Sequence, residues 1–295
     1  MTDSHRFHIG SHDIARVGYG AMQLAGPGVF GPPADRDEAV RVLRTAVELG
    51  VDHIDTAQYY GPGVVNELIR DALSPISDEI AIVSKVAVRR GPAGEILSYD
   101  APGDLRAGIE DNLRTLGVER LAAVNLRMPD PTARPDARFD DQLAAMVQAR
   151  DEGLIDGVGL SNISAAQLQR ALELTPIVCI QNYFSLANRD SLDVLTLAAA
   201  HDIAFVPYCP LGWPRSDRDR TLAHPTVQRI ARSAGAAPAQ VALAWLLGLG
   251  PHILLIPGTR SRQHLEENLG AAGVSLSDFD REELTNLRLS SPVIG

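Results

Sequence analysis

The chain has 295 residues, long for an average domain but ordinary for an α/β barrel. Its 37 acidic residues outnumber 27 basic ones, for a net charge of −10, and no basic tract occurs, so nucleic acid is not an expected partner. No apolar run reaches the roughly 18 residues of a membrane span, and the polar start MTDSHRFHIG lacks the apolar stretch of a signal peptide, so a cytoplasmic protein with no membrane partner is expected. Cys179 and Cys209 lie in apolar strand-like runs and read as buried free thiols; no CxxC or His-rich spacing suggests a metal.

Taken in chain order, RFHIG and DIARVG predict a small hairpin, and ARVGYGAM a first barrel strand. DRDEAVRVLRTAVELG follows as a helix with Val40, Leu43 and Val47 on one face, Asp35 as N-cap and Gly50 as stop. HIDTA reads as a strand, VVNELIRDAL as a helix and IAIVSKV as a strand. From Pro102 to Gly117, Leu105, Ile109, Leu113 and Leu116 recur at helical spacing. LAAVNLRM, VGLSN, IVCIQNYF, IAFVPYCPL and HILLIPG give five more strands. Helices are expected near 139–153, 164–174, 190–202, 224–234, 237–249 and 262–272, with a terminal one over about 276–289. Gly26–Pro33, Pro129–Arg138 and Gly212–Arg220 read as loops above the strands.

Eight βα units with no linker between them predict an α/β chain forming one domain over 1–295: a (β/α)8 TIM barrel with an N-terminal β-hairpin and an extra C-terminal helix. The strands are continuous apolar runs, as expected when both faces are covered. In such barrels the C-terminal strand ends build the site. Asp55, Lys85, Arg127, Asn162, Gln181 and Tyr208 all fall at or near those ends. Asp55 can pair with Lys85, and that cation would lower the pKa of a neighbouring Tyr60, whose free phenol, at about 10, is a poor acid near neutrality. Packing aromatics and a structural ion pair explain these three residues equally well by themselves. Their placement at strand ends favours proton chemistry on a carbonyl or alcohol.

From GYGAMQLAG to ELTNL, nearly its whole length, the chain resembles the aldo-keto reductases. The motif DTAxxYG, here Asp55-Thr56-Ala57-Gln58-Tyr59-Tyr60-Gly61, matches that family's Asp and catalytic Tyr and selects Tyr60 over Tyr59; Lys85 matches its Lys. GLSN, with Ser161 and Asn162, and Gln181 match residues that hold the nicotinamide carboxamide. PYCPLG matches the segment whose aromatic, Tyr208, stacks on the nicotinamide, with Pro210, Leu211 and Gly212 beside it. IPGT, with Gly258 and Thr259, and later Glu267 and Asn268, match the end that holds the adenosine phosphates; Gly20, Ala21 and Met22 complete the cofactor set. The resemblance implies NADPH as cofactor and a small-molecule carbonyl substrate.

No GxGxxG follows the first strand, so the diphosphate is expected at the N-terminus of the helix after Gly258, with Arg260 and Arg262 as candidates for a 2′-phosphate. Two solvated arginines on a surface helix would look the same. Phe30 and Trp213 lie in loops over the expected mouth and could wall a planar substrate or simply fold onto the barrel rim, while His53 reads as packed or hydrogen-bonded and Trp245 as packed.

The family usually carries His in a run like LHxPD; here VNLRMPD puts Arg127 in its place. Arg also donates to a carbonyl oxygen, stays charged, and adds a second cation near Tyr60. GYGAMQLAGPGVFGPP together with VNLR resembles a bacterial subgroup that includes pyridoxal reductases, which implies reduction of an aromatic aldehyde on a pyridine ring. Reduction of another aldehyde, a ketone or a sugar, and a non-catalytic NADPH-binding sensor on the same fold, stay open as alternatives.

Overall fold

The structure is a computed structural model and describes residues 6–288. It begins with an antiparallel hairpin, β1 (Arg6–Ile9) and β2 (His12–Ala15). Strands and helices then alternate: β3 (Tyr19–Gly20), α1 (Arg36–Glu48), β4 (His53–Asp55), α2 (Val64–Leu73), β5 (Ala81–Arg90), β6 (Ile96–Tyr99), α3 (Pro102–Leu116) and β7 (Ala123–Arg127). The second half continues with α4 (Ala137–Asp151), β8 (Val158–Ser161), α5 (Ala165–Leu174), β9 (Cys179–Gln181), α6 (Leu192–Ala200) and β10 (Ala204–Phe205). Last come α7 (Arg215–Ala223), α8 (Pro225–Ala234), α9 (Pro238–Leu247), α10 (Arg262–Leu269) and α11 (Asp278–Thr285).

Parallel strands run in the order β10-β9-β8-β7-β5-β4-β3, each beside its neighbour in sequence once the β6 hairpin is set aside. The segment 253–255 closes the ring. Leu254 N donates to Phe205 O at 3.0 Å on one side, and Gly18 N donates to Leu255 O at 2.8 Å on the other. This is the expected barrel of eight strands, though the eighth forms isolated bridges rather than a continuous ladder. Where β3 meets it, two backbones touch: a Cβ on Gly20 would lie 2.3 Å from Ile256 O, and one on Gly258 would lie 2.6 Å from Gly20 O. Only glycine allows that approach.

Ile9 and Ile14 of the hairpin are buried against Ala81, Ala123 and Ala204, which begin their strands. The hairpin therefore plugs the N-terminal end of the barrel, opposite the C-terminal strand ends. Helices pack on the outside; in α3, Leu105, Ile109, Leu113 and Leu116 are all buried, as the spacing predicts. Asp35 caps α1, accepting from Glu38 N at 2.8 Å. The apolar face of α1 is rotated from the expected one: Ala39, Val42, Leu43 and Ala46 are buried, while Val40 and Val47 lie at its edge.

Three local differences bear on the mouth. β5 runs past the barrel to Arg90 and folds back as β6, an antiparallel hairpin absent from the sequence reading. The expected loop Gly212–Arg220 is largely helix α7, whose Asp217 and Arg220 pair at 2.6 Å. Cys179 is buried, but Cys209 is only partly so. The expected terminal helix ends at Thr285, and residue 289 of its expected span lies outside the described residues. Among the described residues no helix is long and apolar enough to cross a membrane.

Candidate active site

Alternation along the strands decides which side chains enter the mouth. Asp55 at the end of β4 and Lys85 of β5 point inward and meet, while the next residue, Thr56, and Ser84 of β5 point outward to α2 and α3. Lys85 Nζ donates to Asp55 Oδ1 at 2.5 Å and to the Thr56 carbonyl at 3.0 Å, with both side chains almost wholly buried. The other carboxylate oxygen, Oδ2, accepts from Gln181 Nε2 on β9, across the barrel. Asp55 is thus fixed from two sides.

The outward neighbours are fixed as firmly. Thr56 Oγ1 donates to Asn66 Oδ1 at 2.7 Å, Asn66 Nδ2 donates to Asn112 Oδ1 at 2.9 Å, and Ser84 Oγ donates to Asn112 Oδ1 at 2.6 Å. This buried network ties α2 and α3 to the strand ends that carry Asp55 and Lys85. Gln58, in the turn leading to Tyr60, joins it through Asn66 and Thr115. Polar residues on helices read as solvated from sequence, so these members were missed; no signal short of the fold marks them.

Tyr60 is 6% exposed, and Lys85 Nζ lies 5.2 Å from its ring centroid. Tyr59 stands edge-on to it, centroids 5.1 Å apart. The expected lowering of the Tyr60 pKa is corrected here. Burial, followed by the Asp55 carboxylate, holds the phenol well above its ordinary value, while Arg127 pulls the other way. Desolvation of a phenolate in this corner outweighs the cations. Tyr60 is therefore a neutral phenol near pH 7, the form that donates a proton.

Arg127 ends β7, paired in register with Ser161. It lies two residues beyond Asn125, whose Oδ1 faces Cys179 Sγ at 3.5 Å inside the barrel, so Arg127 projects into the mouth on the same side. Ser161 is buried on β8. Asn162 follows in the left-handed region at φ 58°; its Nδ2 donates to Met128 O at 2.8 Å, and its Oδ1 accepts from Tyr208 OH at 3.1 Å. Tyr208 stacks on Tyr183, centroids 5.8 Å apart and 16° between planes. Tyr183 OH donates to Trp213 O at 2.9 Å and is itself 2.8 Å from Trp213 N, so the loop bearing the exposed Trp213 is pinned beside Tyr208. Pro210 is buried; Leu211 and Gly212 are half-buried in the turn after Tyr208, where Gly212 N donates to Cys209 O at 2.8 Å. Phe30 lies against Gly94 of the β5–β6 turn, within 3.4 Å of where a Cβ would stand.

At the other rim, Gly20, Ala21 and Met22 leave β3 in a 3-10 turn. Tyr19 OH donates to the Thr259 carbonyl at 2.6 Å, joining the first strand to the turn after the eighth. Ser261 caps α10, accepting from His264 N at 3.4 Å. Arg260 and Arg262 are exposed beside it and form no hydrogen bond or ion pair among the described residues. Glu267 accepts from Gln263 Nε2 at 2.9 Å, and Asn268 is buried.

Gln181 Oε1 is buried without a partner among the described residues, while its Nε2 is committed to Asp55. A buried carbonyl oxygen with no donor is costly. A primary amide set between Gln181 and Asn162 would satisfy it, so the residues present fit a nicotinamide. His53, by contrast, is packed as expected but bonds through neither ring nitrogen among the described residues, and burial lowers its pKa to about 4. Trp245 is core: it stacks on Phe184 at 6.2 Å and donates to Thr285 Oγ1 at 3.0 Å.

The Aldo/keto reductase family model matches residues 16–288. The chain belongs to the aldo/keto reductase family. Pyridoxine 4-dehydrogenase of Escherichia coli (strain K12) is 46% identical over 278 residues, covering 93% of this chain and 95% of that protein. An uncharacterised oxidoreductase of Schizosaccharomyces pombe is 36% identical, covering 91% of this chain and 85% of its own. Among solved structures, a thermostable aldo-keto reductase in complex with the inhibitor epalrestat superposes with a TM-score of 0.80 at 30% identity, over 95% of this chain and 98% of that one. An aldo/keto reductase from Klebsiella pneumoniae, in complex with NADP and acetate, also gives 0.80, at 26% identity over 96% and 94% of the two chains.

Proposed function

We propose that this member of the aldo/keto reductase family is an NADPH-dependent carbonyl reductase and that it reduces pyridoxal to pyridoxine. The observation that carries the chemistry is the buried Lys85–Asp55 pair beside a neutral Tyr60 at the C-terminal strand ends of the barrel. When bound, NADPH supplies the hydride that reduces the carbonyl carbon. Tyr60 gives its proton to the carbonyl oxygen as charge builds there. Lys85, held by Asp55 and the Thr56 carbonyl, stabilises the phenolate that remains. Arg127 donates to the same oxygen, in the way that fixed donors stabilise a developing oxyanion.

Gln181 Oε1 and Asn162 would hold the carboxamide, with Ser161 beside them and Tyr208 stacked against the ring. The rim from Gly20 to Met22, the turn from Pro210 to Gly212, and Gly258 through Arg262 with Glu267 and Asn268 would hold the remainder. Phe30 and Trp213 would flank a planar substrate. The 46% identity to the Escherichia coli pyridoxine 4-dehydrogenase supports the choice of pyridoxal. The test is kcat/KM for NADPH oxidation with pyridoxal beside simple aldehydes, ketones and sugars. Pyridoxal should lead the panel; turnover of a sugar with none of pyridoxal would overturn the substrate assignment.

A further inference from the structure

Among the described residues Arg127 forms no hydrogen bond and no ion pair. Asp130, in the loop after Arg127, is engaged within that loop, accepting from Thr132 N at 2.8 Å and Thr132 Oγ1 at 2.7 Å. Asp55 is consumed by Lys85 and Gln181. Asp217, beyond Tyr183, is held by Arg220. The tyrosines and the thiol around the mouth, Tyr59, Tyr60, Tyr183, Tyr208 and Cys209, are all neutral near pH 7 because burial raises each of them. Asp55 and Lys85 cancel, so Arg127 leaves this corner with one uncompensated positive charge.

A half-buried guanidinium without a carboxylate is an anion site in waiting, and its planar fork suits two oxygens held side by side. The wall near it is aromatic, with Tyr183 stacked on Tyr208. Resting on the reductase reading, we infer that Arg127 selects aryl aldehydes carrying an ionised hydroxyl ortho to the carbonyl, one N–H on the carbonyl oxygen and another on the phenolate. Pyridoxal belongs to that class. The phenolate neutralises the surplus charge, and the two contacts fix the aldehyde's rotation about its bond to the ring, which sets the face that is reduced.

The test uses benzaldehyde, 2-hydroxybenzaldehyde, 4-hydroxybenzaldehyde and 2-methoxybenzaldehyde, at a pH where the hydroxyls are ionised. Ortho and para phenolates deactivate the carbonyl electronically alike, so the para isomer is the reactivity control, and the ether cannot ionise. The wild type should favour the ortho over the para isomer in kcat/KM by roughly ten- to a hundredfold, the range of a contact between charged groups, with no advantage for the ether. Arg127→Met should lower turnover of every aldehyde but erase the ortho-to-para ratio. Arg127→Lys should restore turnover in part and the ratio only weakly, since an ammonium lacks the fork.

Dissociation constants of the four aldehydes from the NADP+ complex read the contact without turnover. Reduction of benzaldehyde with no ortho advantage in kcat/KM or in affinity would overturn the inference and leave the reductase reading intact. Tight ortho binding with no reduction of any aldehyde would sink the reductase reading and keep the anion contact. Loss of NADP+ affinity in Arg127→Met, with the ortho preference unchanged, would give the cation to the cofactor and also overturn the inference.

Discussion

On the β4–β5 side of the mouth the polar groups are buried side chains bonded to one another, whereas on the α10 side they are exposed side chains over a rim of backbone. Asp55 and Lys85 pair with each other, Gln181 holds Asp55 from across the barrel, and Thr56, Ser84, Asn66 and Asn112 back them. Gly20, Gly258 and the first turn of α10 offer carbonyls, N–H groups and close backbone contact instead. A corner that moves a proton needs fixed charges in low dielectric, and that requires each charge to be paired. A rim that holds a long, charged cofactor needs reach and anion-facing N–H groups, which exposed backbone supplies. Substitutions should therefore act all-or-none on the first side and in increments on the second.

Lys85→Met should have the largest effect, because it leaves Asp55 buried and uncompensated. Turnover should vanish, and folding stability should fall by about 3–5 kcal/mol, read by chemical denaturation. A stable, inactive variant would mean that water reaches the corner and that the pair is less closed than the structure shows.

Arg127→Met comes next. Losing a donor to the developing oxyanion should cost roughly a hundredfold in kcat. The pH dependence sharpens the point. Reduction needs Tyr60 protonated, so the rate falls as pH rises through its pKa. Arg127 acts to lower that pKa against the larger effects of burial and Asp55. Removing the cation should move the alkaline limb to still higher pH. An unchanged rate and an unchanged limb would make Arg127 structural.

On the rim, Arg260→Ala with Arg262→Ala should weaken NADPH binding by about 1.5–3 kcal/mol while leaving NADH affinity unchanged, as measured by titration. Equal affinity of the starting protein for the two cofactors would remove the 2′-phosphate role from both arginines.

The same contrast explains what could be read in the sequence. That Asp55, Tyr60 and Lys85 come together was legible because they stand at or just after neighbouring strand ends, which the βα alternation puts side by side. The barrel itself was legible from the apolar runs. The sign of the Tyr60 shift was not, because it depends on how deeply the phenol is buried, and burial follows from packing rather than from a motif. The β5–β6 hairpin was missed because Ile96 and Leu97 are exposed and follow a Gly/Pro turn. Helix α7 was read as a loop because its residues are almost all charged or polar, with no apolar stripe to show a period. Asn66 and Asn112 sit on helices at positions that water would satisfy equally well; only the fold turns them inward.

The most direct measurement is a single turnover. Protein loaded with NADPH is mixed with pyridoxal, and the loss of reduced cofactor is followed for wild type, Tyr60→Phe and Tyr59→Phe. Tyr60→Phe should bind NADPH normally and slow the step by roughly a hundredfold or more, in the range of a lost general acid, while Tyr59→Phe stays near wild type. Oxidation of NADPH by Tyr60→Phe at the wild-type rate would contradict the assignment of the proton to Tyr60, and with it the function proposed for this corner of the barrel.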